Sequence, residues 1–214
     1  MKTAILKKEN KIMDYLGYTL YAFGGLGIEI LLMMLETNLW ETSNNQWTIS
    51  QNITHWTITC LIWGVLAFLL LKQVPKRRSK IKKLNVYITS IIVLVAICYT
   101  TFVWNGFKPF IEFSNNGLVK FIIQYVYYAC ESMLILLIIV FGQMFFEKIV
   151  GRKSNFPAGS IILVLTWGLI HILTQGLSTG IYASIQACLY GIVYLTLDRN
   201  FIFSYMAIAL MFML

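Results

Sequence analysis

Three ionisable side chains interrupt long apolar segments of this sequence: Glu29, Glu131 and His171. A charge inside a membrane costs ~2.5–3.5 kcal/mol on insertion scales, so such residues mark a functional site or pair with one another. Two carboxylates and an imidazole can bind a metal, a proton or a substrate, and the three side chains offer enough ligands for zinc. The competing interpretation is a buried carboxylate–imidazole hydrogen bond that only orders the helices.

The apolar segments must place these side chains at one depth if they are to act together. At ~1.5 Å per residue, Glu29 lies roughly 7.5 Å outward of the midpoint of segment 13–35. Glu131 lies roughly 2 Å outward of the midpoint of segment 118–147, and His171 roughly 6 Å outward of the midpoint of segment 158–176. Polar or small residues continue the same helical faces and predict a shared polar pocket. A neighbouring segment carries a small face suited to close helix contact, formed by Gly180, Ser184, Ala187 and Gly191.

The composition indicates a membrane protein. The chain has 214 residues, of which 58% are hydrophobic and 12% charged, against about 25% charged residues in soluble domains. Six segments are long enough to span a bilayer: 13–35, 53–72, 84–104, 118–147, 158–176 and 177–196. A seventh, 200–214, covers only about 22 Å of a ~30 Å hydrocarbon core. We predict an all-α polytopic integral membrane protein with about seven membrane-crossing or membrane-entering helices in one domain, 1–214.

The basic residues predict the orientation. Lys and Arg in successive connections number 4, 0, 7, 1, 3, 0 and 1. This alternation predicts a cytoplasmic N-terminus in a multi-pass protein of the cell membrane. The 72–83 loop holds seven of the basic residues, and we expect it to bind anionic lipid headgroups, although it equally serves as a topology signal alone. Basic residues confined to such short loops argue against nucleic acid as a partner, despite the net charge of +8.

The second histidine, His55, lies near the outer end of the second segment, beside Trp56. Polar and aromatic side chains are common at membrane interfaces. We therefore interpret His55 as an interfacial polar group without a further role.

The C-terminal half contains the motif Trp167-Gly-Leu-Ile-His171, whose histidine lies 40 residues after Glu131. A hairpin that runs to Leu197 follows the motif. Residues 118–214 resemble the CAAX protease and bacteriocin-processing (CPBP) family of intramembrane metalloproteases. That family has a Glu-Glu-x-x-x-Arg motif, then Phe-x-x-x-His, then a late His-x-x-x-Asn/Asp. Here Glu131 stands without a neighbouring glutamate or the arginine, and 201–214 holds no histidine, aspartate or asparagine.

The resemblance implies a degenerate CPBP-like protein. Glu131 would be the catalytic base and His171 a zinc ligand. Glu29 lies outside the resemblance, but its depth in the first segment makes it the candidate that would complete the metal site with Glu131 and His171. Substrates would be peptides, prenylated or bacteriocin-type, or the protein would give immunity without cleavage. The alternative is a non-enzymatic membrane protein that binds or transports a small ligand or proton through the Glu/His pocket. A membrane scaffold without chemistry is the third hypothesis.

Overall fold

The computed structural model describes residues 11–75 and 80–214, and in these ranges the chain is helical, with no β-strand. A short 3-10 turn, Asn44–Gln46, follows the first helix. Seven helices occur in these ranges: α1 Ile12–Leu39, α2 Ile49–Leu71, α3 Lys83–Val103, α4 Lys108–Ile149, α5 Ala158–Gln175, α6 Leu177–Thr196 and α7 Phe201–Met213. Six of them agree with the predicted segments to within four residues at each end.

The exception is α4, which begins ten residues before the predicted start at 118. The predicted segments make 105–117 a connection, in which Lys108 is the one basic residue. The helix breaks at Gly117, whose φ of 67° suits glycine. Stretch 108–116 then doubles back along the following turns: Asn116 Nδ2 donates a hydrogen bond to Gln124 Oε1 at 2.6 Å.

The second half of α4 forms the centre of the bundle. Every residue from Leu134 to Val140 is at most 2% exposed. A helix surrounded by others needs apolar residues on all of its faces, and this run supplies them. α1, α2, α5 and α7 pack against α4.

α5 and α6 form the predicted antiparallel hairpin. α5 contains a π-helical stretch, Val164–Gly168, and Gly176 (φ 92°) makes the turn into α6. The predicted small face of α6 lies against α5: a Cβ added at Gly180 would overlap Ile172, and one at Gly191 would overlap Ser160. Small residues therefore allow the two helices their close approach.

The outer surface of the bundle is apolar. The side chains of Leu31, Phe68, Leu94 and Phe102 are between 61 and 81% exposed. So many large exposed apolar side chains suit contact with lipid rather than with water. By length and composition, α1 to α5 can each cross a membrane, whereas α6 does not meet this criterion and α7 has 13 residues.

The seven-span count and the cytoplasmic N-terminus stay predictions. Much of the basic pattern lies outside the described residues, namely Lys2, Lys7, Lys8, Lys76, Arg77 and Arg78. The remaining basic residues of the 72–83 loop lie where α2 ends and α3 begins. We call this end of the bundle, which also holds the α4–α5 and α6–α7 connections, the basic end.

Candidate functional site

Trp167 connects two of the predicted site residues. Its indole Nε1–H donates a hydrogen bond to Glu131 Oε1 at 3.1 Å. Its backbone carbonyl lies 2.7 Å from His171 Nδ1, one helical turn further along α5, and the two rings are 4.6 Å apart between centroids. Because a carbonyl only accepts, His171 must carry a proton on Nδ1. We call Glu131, Trp167 and His171 the Trp167 centre.

Glu131 and His171 do not bond to each other in this arrangement. Each of the two side chains forms a hydrogen bond with Trp167 through one of its polar atoms. The others, Glu131 Oε2 and His171 Nε2, form no hydrogen bond with any residue in 11–75 or 80–214. Packing around the centre is close, since Glu131 is 8% and Trp167 4% exposed. The centre thus presents one acceptor atom on the buried Glu131 and one on the half-buried His171.

Glu29, the third predicted residue, bonds to α4 through a different side chain. The hydroxyl of Tyr127, one turn before Glu131, donates to Glu29 Oε1 at 2.5 Å. Because Tyr127 and Glu131 are neighbours on one face of α4, this bond places Glu29 near Glu131. The structure therefore brings the three predicted residues to one region of the bundle, with Glu29 beside the Trp167 centre rather than in it.

His55 is buried and paired with carboxylates, which its interpretation as an interfacial polar group without a further role did not include. It is 4% exposed, as is Glu36, and its Nδ1 lies 2.5 Å from Glu36 Oε2. Its Nε2 faces Glu29 Oε1 at 3.7 Å. The ring of Trp47 packs against His55 at 5.2 Å between centroids and shields it from solvent. We call Glu29, Glu36, His55 and Tyr127 the His55 centre.

One sequence signal could have revealed the His55 centre. Glu29 and Glu36 are seven residues apart, which places them on one face of α1. A histidine near the start of the next helix is the natural partner for that face, because a short connection makes consecutive helices antiparallel neighbours. Glu36 Oε1 is buried without a hydrogen-bond partner in the described part of the chain.

A third polar cluster borders the Trp167 centre. Glu112 accepts hydrogen bonds from the hydroxyls of Tyr125 and Tyr128, at 3.0 and 2.6 Å. Lys108 Nζ donates to the carbonyl of Phe212 at 2.6 Å, near the C-terminal end of α7, where cations are favourable. The ring of Phe212 also packs against Trp167, with 6.0 Å between the ring centroids. Phe212 and the cluster around Glu112 and Lys108 therefore form one wall of the Trp167 centre.

The arrangement does not by itself complete a zinc site. In the parts of the chain that the structure describes, no three His, Cys, Asp or Glu side chains are grouped so as to hold a metal. Structural and catalytic zinc sites use at least three protein ligands, whereas the Trp167 centre offers Glu131 and His171. We assign no reaction step to a metal here, and zinc stays a prediction.

Comparison with family models, with curated proteins and with solved structures gives no match. The resemblance of residues 118–214 to the CPBP family stays an interpretation of the sequence.

Proposed function

We propose that this chain is a CPBP-like, non-enzymatic membrane protein that binds protons at the Glu and His side chains within its bundle. The observation that supports this is the line of titratable groups. The His55 centre supplies Glu36, His55, Glu29 and Tyr127, each beside the next, and Glu131 follows Tyr127 by one turn of α4. A proton needs no cavity, so it suits a site as closely packed as this one.

Each group has a defined role in proton binding. The hydroxyl of Tyr127 donates to Glu29, and both ring nitrogens of His55 face carboxylates. In the Trp167 centre, Glu131 Oε2 and His171 Nε2 are the acceptor atoms. Protonation of Glu131 would weaken the indole bond, because a neutral acid is a poorer acceptor than a carboxylate.

The test is the fluorescence of Trp167 as a function of pH, in mild detergent. The signal of Trp167 is obtained by subtracting a Trp167→Phe variant from the wild type. We expect a titration step that Glu131→Gln abolishes and that Glu41→Gln, a change on the exposed α1–α2 connection, leaves in place. A step that survives in Glu131→Gln, or a flat wild-type signal, would contradict proton binding at Glu131.

A second candidate is an intramembrane metalloprotease of the CPBP type, with peptide substrates. One observation favours it: His171 donates from Nδ1 to a carbonyl and keeps Nε2 as an acceptor, the orientation that second-shell bonds give to metal-ligating histidines. Glu131 would then activate water and His171 would help to hold zinc, with Glu29 as the closest further carboxylate.

Metal content separates the two candidates. Stoichiometric zinc in protein purified in mild detergent, lost in His171→Ala, would favour the protease. So would cleavage of a reporter peptide in liposomes that Glu131→Gln abolishes. We expect neither, and a His171→Gln variant that still binds zinc would show that the metal lies elsewhere.

A further inference from the structure

A cavity of about 420 Å³ lies at the basic end, away from both polar centres. Its walls come from the end of α2, from α4, and from the α6–α7 connection with the first turn of α7. This volume falls in the ~300–1,000 Å³ range of ligand pockets. We call it the basic-end cavity.

Arg199, which lines the cavity, has donors to spare. It is 7% exposed, and its Nε and Nη2 both donate to Glu147 Oε1, at 3.0 and 2.7 Å. Nη2 also donates to the carbonyl of Ser154 at 2.7 Å. A guanidinium has five N–H donors, so these bonds leave the two on Nη1. Nη1 forms no hydrogen bond with any residue of 11–75 or 80–214.

The N-terminus of α7 opens into the same cavity. Asn200 is the N-cap, and its Oδ1 accepts from Phe203 N–H at 3.1 Å. The first N–H groups of a helix have no partner within the helix, and the positive end of its dipole attracts anions. Phe201 and Ile202, the first two residues of α7, both line the cavity. The first turn of α7 and the side chain of Arg199 therefore border the same space.

The cavity also suits an amphiphile. Lys72, which caps α2, is exposed at its rim, whereas Val140 and Met144 give it an apolar inner wall. Asp198, the nearest acidic residue in sequence to Arg199, does not line it. A phosphate diester with attached acyl chains matches both the basic rim and the apolar wall.

We infer that the basic-end cavity binds the phosphate of an anionic phospholipid from the adjoining leaflet. The phosphate is held by Arg199 Nη1, the N-terminus of α7 and Lys72, and the acyl chains lie along Val140 and the exposed apolar flank of α7. Such a lipid would join the end of α2 to the start of α7.

The test is native mass spectrometry of the full chain in mild detergent, with phosphatidylglycerol and phosphatidylcholine of equal chain length. We expect the wild type to retain phosphatidylglycerol preferentially. Lys72→Gln should weaken its binding about fivefold, which corresponds to the ~1 kcal/mol that one basic side chain contributes beside an anionic lipid surface. Lys148→Gln is the matched control, since Lys148 is exposed at the same end of the bundle but does not line the cavity.

Two further arms decide what binds and where. Val140→Phe fills the inner wall and should lower phosphatidylglycerol retention while the variant stays monodisperse with an unchanged helical circular dichroism spectrum. Equal retention of both lipids by the wild type, or equal losses in Lys72→Gln and Lys148→Gln, would overturn the site. Glycerol phosphate that displaces the lipid at equal concentration would overturn the lipid assignment, because it would show that the phosphate alone is recognised.

Discussion

The bond between Trp167 and Glu131 makes a prediction that can be measured in free energy. Trp167→Phe removes the indole N–H that donates to Glu131 Oε1 and leaves the carboxyl group buried with one partner fewer. It also removes part of a large side chain that is 4% exposed, so the single variant mixes a lost hydrogen bond with lost packing. A double-mutant cycle with Glu131→Leu, which has no acceptor for the indole N–H, separates the two effects, since the packing loss occurs in both backgrounds.

The expected coupling is about 1 kcal/mol. A buried polar group that loses its partner costs ~1–3 kcal/mol, and hydrogen bonds between membrane helices average ~0.6 kcal/mol with a maximum of ~1.7. The observed N···O distance of 3.1 Å is ordinary for an N–H···O bond, so we expect a value within that measured span. Trp167→Phe should therefore be less destabilising in the Glu131→Leu background than in the wild type.

The measurement is reversible unfolding by SDS in mixed micelles, for the wild type, both single variants and the double variant. Trp63→Phe provides the control. Trp63 is 1% exposed and its Nε1–H donates to the carbonyl of Gly25 at 2.7 Å, so its effect should add to that of Glu131→Leu. Additivity of the Trp167 and Glu131 changes to within ~0.3 kcal/mol would show that this bond contributes nothing to the folded state.

Three further predictions follow from the structure. His55→Ala leaves the buried carboxylate of Glu36 and the half-buried carboxylate of Glu29 without their imidazole and should cost ~3–5 kcal/mol in SDS unfolding, with Glu36→Gln restoring part of it; no loss would contradict the pairing of His55 with Glu36. Gly117→Ala should cost ~1–2 kcal/mol in thermal unfolding, because φ is 67° there, and an unchanged midpoint would contradict the break in α4. Cysteine at Asn45, but not at Ser79 (outside the described residues), should react with an impermeant thiol reagent on intact cells; the reverse would overturn the orientation.

Most helices could be predicted from the sequence because the signal is local. In a membrane helix, lipid-facing and buried positions are both apolar. The length of an apolar run in the sequence is therefore enough to predict each helix. The same reasoning failed for 108–116, a helical stretch outside the predicted segments that contains Lys108 and Glu112. Both are satisfied by residues distant in sequence: Lys108 bonds to a carbonyl 104 positions away. Hydropathy contains no information on such a partner.

The candidate site was predictable in its members but not in its connections. Depth alone brought Glu29, Glu131 and His171 to one region. It did not indicate that Trp167 would stand between the last two, since that depends on how α5 is rotated about its axis. His55 was misjudged for the same reason, because position along a helix does not show whether the loop above it closes over the side chain.

The π-helical stretch Val164–Gly168 sets the direction in which α5 presents its side chains. A π turn holds more residues than an α turn, so the part of α5 beyond it is rotated about the helix axis relative to a regular helix. Trp167 lies within the stretch and His171 lies one turn after Trp167. The orientation of the Trp167 centre towards α4 therefore depends on this irregular turn, and a change that made α5 regular would turn His171 away without altering its chemistry.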